Sequence, residues 1–281
     1  GSMELKNYQK RVLHELDAYI SLLNSTKNLN TAYNEHWHTL GISIGLGHNT
    51  LPPYNDVLSG VPHVCFKVPT GGGKTLLACA SIKHIFDGIG ALNTKAVVWL
   101  VPSTAILEQT IAHLRDPQDP YRQQINFDFG ARVEVYDSTQ GLNGQALSPS
   151  SVRENLSIFV LAYDSLRITR KEDRKIYQEN GNLAPFVAHY TDRDALVPNV
   201  DETALIQVIN QLSPVVIVDE SHNAQSDLSV EMLHNLNPSF VLDLTATPKS
   251  NSNIISIVDA RELKKENMVK LPVIIYNRRA K

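Results

Sequence analysis

The chain has 281 residues, 42% of them hydrophobic and 20% charged, with a formal net charge of −3. Such a length buries a substantial core, and the charge excludes a uniformly basic nucleic-acid binder, so any surface of that kind must be local. No apolar run approaches the roughly 18 residues that span a bilayer and no signal peptide is evident, which makes a cytoplasmic protein the simplest expectation.

Gly1–Met3 reads as a cleavage scar and carries no fold information. Residues 5–23 place Leu5, Tyr8, Val12, Leu16, Tyr19, Ile20 and Leu23 at helical spacing and predict an amphipathic helix. Residues 24–60 lack clear periodicity, are rich in Asn, Gly and Thr, and include Pro52-Pro53; they read as a surface excursion. Within them, His36 and His38 alternate as metal ligands on a strand face would, but no third ligand is in view and a polar loop is the expectation. "VPHVCFKV" at 61–68 predicts a buried strand, and "KTLLACASIKHIF" at 74–86 a helix, with Leu76, Leu77, Ala80, Ile82 and Phe86 apolar. Cys65 and Cys79, on that strand and that helix, read as small buried hydrophobes rather than a disulfide or a metal pair.

Further along, "KAVVWLVP" predicts a strand, and "STAILEQTIAHLR" a helix that Ser103 or Thr104 can cap. "ARVEVY" at 131–136 and "LSIFVLAY" at 156–163 are two more strands, while the polar stretches 137–150 and 167–200 read as surface insertions. "ETALIQVINQL" and "LSVEMLHNL" predict helices; "PVVIVDESHN" and "SFVLDLTATP" predict strands. Apolar strands alternating with helices mean a parallel sheet covered on both faces. A short charged helix and a last strand, "VKLPVIIYN", close the sequence.

Between the first strand and its helix stands "TGGGKT". Successive glycines let backbone N–H groups converge on an anion, and the following helix points its positive end there. Lys74 then reaches the β- and γ-phosphates of a nucleotide and the Thr75 hydroxyl holds Mg2+. The full phosphate-loop pattern asks for glycine where Val68 stands, so the match is to the shorter core, set between strand and helix. Later, four apolar residues deliver Asp219 and Glu220 to the carboxyl end of a buried strand, where open α/β sheets bind ligands. Adjacent strand residues point in opposite directions, so one acid can serve a metal and the other an attacking water.

The ordered set TGGGKT, VPSTAILEQ, DESH and LTATP resembles motifs I, Ia, II and III of superfamily 2 helicases of the DEAD/DEAH-box type. "LKNYQ" near the start is similar to the glutamine motif of that superfamily, and "DARELKKENMVKLPVIIYN" resembles the Res subunits of type III restriction–modification enzymes. The resemblance implies a RecA-like P-loop NTPase, an α/β fold with a mainly parallel β-sheet and helices on both faces, over residues 4–258. It implies that Thr70, Gly71, Gly72, Gly73, Lys74 and Thr75 bind ATP, with Gln9 contacting adenine. Thr75 and Asp219 would hold Mg2+, and Glu220 would position the water, so that Glu220 and Lys74 form the catalytic pair. His222, Thr245 and Thr247 would couple the nucleotide state to nucleic acid, whose backbone Pro102, Ser103 and Thr104 would touch.

Helicases of this type hydrolyse ATP between two RecA-like domains. Too few residues follow Thr247 for a second domain, so the chain reads as a fragment, with 259–281 a truncated connection toward the missing one. The resemblance names ATP and Mg2+ as ligands, duplex DNA as partner, and a DNA methyltransferase (Mod) subunit as companion. Two other readings stay open: a helicase-like ATPase of another repair or defence system, and an ATP-switched clamp on DNA that separates no strands. A P-loop kinase leaves the DESH and TAT strings without a role.

Overall fold

The computed structural model describes residues 4–45, 50–71, 73–90, 92–144, 146–220 and 228–266. Among them, seven strands form one sheet: β1 (His63–Lys67), β2 (Ala96–Val101), β3 (Val133–Tyr136), β4 (Leu156–Ala162), β5 (Val215–Asp219), β6 (Phe240–Thr245) and β7 (Ile254–Ile257). Their order is β3-β4-β2-β5-β6-β1-β7, and every neighbouring pair is parallel. The expected α/β architecture is therefore what forms. All six residues of β2 are buried, as a strand covered on both faces requires.

Nine α-helices are delimited among the described residues: α1 (Asn7–Thr26), α2 (Leu29–Thr39), α3 (Lys74–Ile89), α4 (Thr104–Arg115), α5 (Pro120–Phe129), α6 (Ser138–Asn143), α7 (Pro149–Glu154), α8 (Leu205–Gln211) and α9 (Val230–Asn235). Residues 260–266 are also helical. Two apolar cores separate the layers. On one face, Val12, Leu16 and Ile20 of α1 and Leu77, Ile82 and Ile85 of α3 pack on Phe66, Trp99, Ile217 and Leu242 of the sheet. On the other, Leu205, Ile206 and Ile209 of α8 and Leu233 of α9 pack on Val98, Leu100, Val216 and Val218. None of the described helices is long and apolar enough to cross a membrane.

The segment 24–60 differs from the expected surface excursion. Asn28 caps α2, its side chain accepting from Thr31 N, and the helix buries Ala32, Tyr33, His36 and Trp37. Trp37 Nε1 donates to Ile254 O at 2.8 Å and His36 Nε2 donates to Ile255 O at 2.7 Å, so α2 is bolted to β7. His36 thus lies on a helix, engaged in packing, and the strand-face pairing with His38 does not arise. Burial is the main influence on the His36 imidazole and pulls its pKa down, which suits a neutral ring.

The stretches read as surface insertions also contribute to the interior. Residues 137–150 contain α6 and the start of α7, each N-capped, by Asp137 and by Ser148. In 167–200, 3-10 turns carry Ile176, Tyr177, Leu183 and Phe186 into the second core, against α8, and Val197 joins them from the chain beyond. Helix α5, which no sequence signal above marks, begins at Pro120 behind the Asp119 cap and ends at Gly130. The closing strand expected at 269–277 lies outside the described residues. Because Trp37 is 3% exposed and hydrogen-bonded, Trp37→Ala is expected to cost about 3–5 kcal/mol of stability. Denaturant unfolding checks this; a loss within about 0.5 kcal/mol would return α2 to the status of a surface appendage.

Candidate functional site

Strand β1 runs into Val68, Pro69 and Thr70, and the chain then turns sharply to start α3. Gly71 and Gly73 adopt φ of +84° and +72°, a left-handed backbone that side chains oppose. Gly73 is the N-cap of α3, and a Cβ there would collide with Gln9 Nε2. Lys74 and Thr75 are the first two residues of the helix, at its electropositive end. Gly72 lies outside the described residues.

Strand β5 delivers Asp219 and Glu220 to the same edge of the sheet, with β6 standing between it and β1. Lys74 Nζ closes that gap: it sits 2.7 Å from Asp219 Oδ1 and donates to Glu220 O at 3.1 Å. Sequence positions 145 residues apart thus meet through one partly buried ion pair. Two further contacts hold the end of β5. Glu220 N donates to Leu244 O at 3.2 Å, and the Tyr163 hydroxyl, from beyond β4, donates to Asp219 O at 2.7 Å. Burial first, then the nearby carboxylates, push the Tyr163 phenol far up, so it remains a neutral donor.

Alternation sends the two acids apart. Asp219 turns with Ile217 toward the layer of α1 and α3; Glu220 turns with Val216 and Val218 toward that of α8 and α9. Burial is the chief cause that raises the Glu220 carboxyl from its ordinary 4.5 to about 7, and the charge of Asp243 adds to it. Lys249, His63 and Lys74 pull in the opposite direction.

Gln9 stands beside the glycine loop although it precedes it by more than sixty residues. Helix α1 packs along α3, and Gln9, 2% exposed, donates from Nε2 to Gly73 O at 3.4 Å while Oε1 accepts from Lys6 N at 2.9 Å. Thr245 is buried at the end of β6, its Oγ1 accepting from the backbone N of exposed Thr247 at 3.0 Å. Thr245 therefore lies directly between the glycine-loop strand and the acidic strand. Pro102, Ser103 and Thr104 are on the same edge but after β2, which β5 and β6 separate from β1. Ser103 caps α4 by accepting from Ile106 N at 3.3 Å. His222 lies outside the described residues.

Three residues whose side chains bear on this arrangement were not singled out from the sequence: Tyr163, His63 and Asp243. Asp243 carried a signal, an acid inside the apolar run "FVLDLT". Its partner His63 opens β1 two positions before Cys65, the residue that Asp243 faces across the strands. His63 Nε2 lies 2.8 Å from Asp243 Oδ2.

With this geometry in hand, comparison with known proteins gives a family. The one described as "Type III restriction enzyme, res subunit" matches residues 2–250. Among solved structures, a nuclease-deletion mutant of the Type ISP restriction–modification enzyme LlaGI, in complex with a DNA substrate mimic, aligns at 12% identity and a TM-score of 0.46. That alignment covers 94% of this chain and 21% of the LlaGI chain. The yeast DEAD-box splicing factor Prp28 aligns at 17% identity and a TM-score of 0.31, covering 67% of this chain and 37% of Prp28. No curated protein matches the chain. The family match extends from before α1 to beyond β6, and on that ground the chain belongs to the family of type III restriction enzyme res subunits.

Proposed function

We propose that this chain is the ATP-binding motor domain of a DNA helicase or translocase, serving as part of the restriction subunit of a type III restriction–modification enzyme. The observation that carries the reading is the Lys74–Asp219 pair, which draws the glycine loop and the acidic strand end into one site. On this reading Gly71, Gly73 and the amino end of α3 receive the phosphates, with Gly72 and Thr70 completing the loop. Lys74 exchanges its carboxylate partner for the β- and γ-phosphates.

The donor set fits Mg2+: a hydroxyl from Thr75 and a carboxylate from Asp219 are hard oxygen ligands. When bound, the ion neutralises charge on the phosphates. Glu220, turned the other way, is the group that orients and deprotonates the attacking water. Thr245 and Thr247, with His222, pass the nucleotide state to DNA lying across Pro102, Ser103 and Thr104. A second RecA-like domain brings an arginine to the transferring phosphate, a contribution of about 10³–10⁵ in rate in related enzymes. A methyltransferase subunit supplies site recognition.

Titration calorimetry with ATP and Mg2+ tests the roles. Lys74→Ala is expected to weaken binding on the order of 10–100-fold, since it removes a charge-assisted contact to phosphate. Glu220→Gln is expected to keep binding within a few-fold while abolishing hydrolysis in the complete enzyme. Equal losses of affinity from both changes would reverse the assignment.

Gln9 should select the base, because its amide donates to adenine N7 and accepts from the N6 amine, whereas guanine offers two acceptors on that edge. ATP is expected to bind a few-fold better than GTP, with Gln9→Ala erasing the preference and sparing phosphate binding. Equal affinities for the two nucleotides in the unaltered chain would remove Gln9 from the site.

The raised Glu220 carboxyl makes a pH prediction for the nucleotide-free chain. A folded-state pKa near 7 against an ordinary 4.5 means stability is fully present below 4.5 and is lost as pH rises through 7. Glutamine mimics the protonated acid, so Glu220→Gln is expected to gain stability relative to the unaltered chain between those two values. Urea unfolding at a series of pH values reads the difference, and a gap that stays constant or narrows with rising pH would contradict it.

A further inference from the structure

We propose that Asp243 and His63 are positioning residues for Glu220, their buried pair forming the charged wall of a cavity that this carboxylate also lines. The inference rests on the reading of Glu220 as the water-orienting group, and it concerns what holds that side chain before nucleotide arrives. On the sheet face that carries Val216, Val218 and Glu220, the neighbouring strand β6 presents Val241 and Asp243. The next strand, β1, begins with His63. A cavity of about 130 Å3 opens there, lined by His63, Glu220, Asp243, Lys249, Asn55 and Asn253 among others.

The surroundings make a purely packing role costly. The side chains of His63 and Asp243 are 11% and 15% exposed, set among valines and leucines of the second core. Replacing a buried ion pair by apolar residues of similar volume is often neutral or stabilising, so such a pair in a strand needs another reason. Here the reason lies in the cavity. Glu220 and Asp243 share one concavity, and two carboxylates in such a place repel unless cations stand between them. Lys249 lines the same concavity, and His63 is paired with Asp243 in it.

Five kinds of group face His63. Asp243 approaches from β6, Glu220 from the end of β5, and Lys249 from the turn after β6. The Tyr54 hydroxyl accepts from His63 N at 3.4 Å, and Asn253 Nδ2 donates to His63 O at 2.9 Å. Burial pulls the imidazole pKa down, but the charge and hydrogen bond of Asp243, helped by Glu220, outweigh it and leave the ring above its ordinary value. His63 Nδ1 is buried with no hydrogen-bond partner among the described residues. Among the described residues, Asp243 therefore holds the ring through Nε2 alone.

Two measurements decide the matter. In the chain itself, NMR follows the His63 ring, identified by the signal lost in His63→Gln. Glu220→Gln is expected to lower the pH midpoint of that signal, and Asp243→Asn to lower it further; an unchanged midpoint in Glu220→Gln would overturn the shared cavity. In the complete enzyme, the double change His63→Leu with Asp243→Leu is expected to retain fold and ATP affinity, read by melting temperature and titration. Its kcat should fall at least about tenfold with KM unchanged, whereas an unaltered kcat would reduce the pair to packing. The two ideas fail separately. An unaltered enzyme without ATP turnover would reject the functional reading, while the NMR midpoints would still judge the cavity.

Discussion

The site depends on a property of one peptide strand: consecutive side chains leave an extended backbone on opposite faces. At the end of β5 this rule is applied to two acids in succession. Asp219 joins the helical layer that holds the glycine loop, and Glu220 joins the layer that holds α9 and the His63–Asp243 pair. One residue more or less in β5 would exchange the two carboxylates between layers. The register of β5 against β6, Val215 to Phe240 through Asp219 to Leu244, is therefore what separates metal chemistry from water chemistry in the proposed mechanism.

That register is protected by burial. The interior of β5 is at most 1% exposed, and so are Val241, Leu242 and Leu244 of β6, which leaves little tolerance for sliding. Polar groups of the site collect where the strands stop and backbone amides are released from the ladder. The sheet supplies rigidity, and its carboxyl edge supplies chemistry. Tyr163 shows how far the support reaches: from beyond β4 it crosses the end of β2 to fix the carbonyl of Asp219.

Much of this was readable in advance because strong local signals coincide with it. Valine-rich runs bounded by proline marked β1, β2 and β5, and the glycine-lysine-threonine string marked the turn into α3. The misses have local causes. Helix α2 offers few aliphatic residues, since its buried face is Ala32, Tyr33, His36 and Trp37, aromatic and polar enough to pass for loop. Helix α5 buries only Ile125 fully and leaves Phe127 83% exposed, so its apolar residues do not trace one stripe. β7 is four residues long and sits beside Asn251, Ser252 and Asn253, whose composition speaks for a turn. The 3-10 turns of 167–200 have no hydrophobic period to detect, and only the folded chain reveals that Leu183 and Phe186 are interior. The partnership of His63 with Asp243 spans 180 residues, and no spacing rule connects them.

The contacts that bind the first two helices to β7 have a second effect, on how the molecule meets its own copies. Among the described residues β7 is the outermost strand, and an outer strand with free carbonyls invites another chain to pair with it. Here Ile254 O is taken by the Trp37 indole, Ile255 O by the His36 imidazole and Ile257 O by the Arg11 guanidinium at 2.9 Å. Three of the four carbonyls of β7 are thus held by side chains. The same helices that bring Gln9 to the glycine loop thus also cover part of a border along which the sheet would otherwise be open to aggregation.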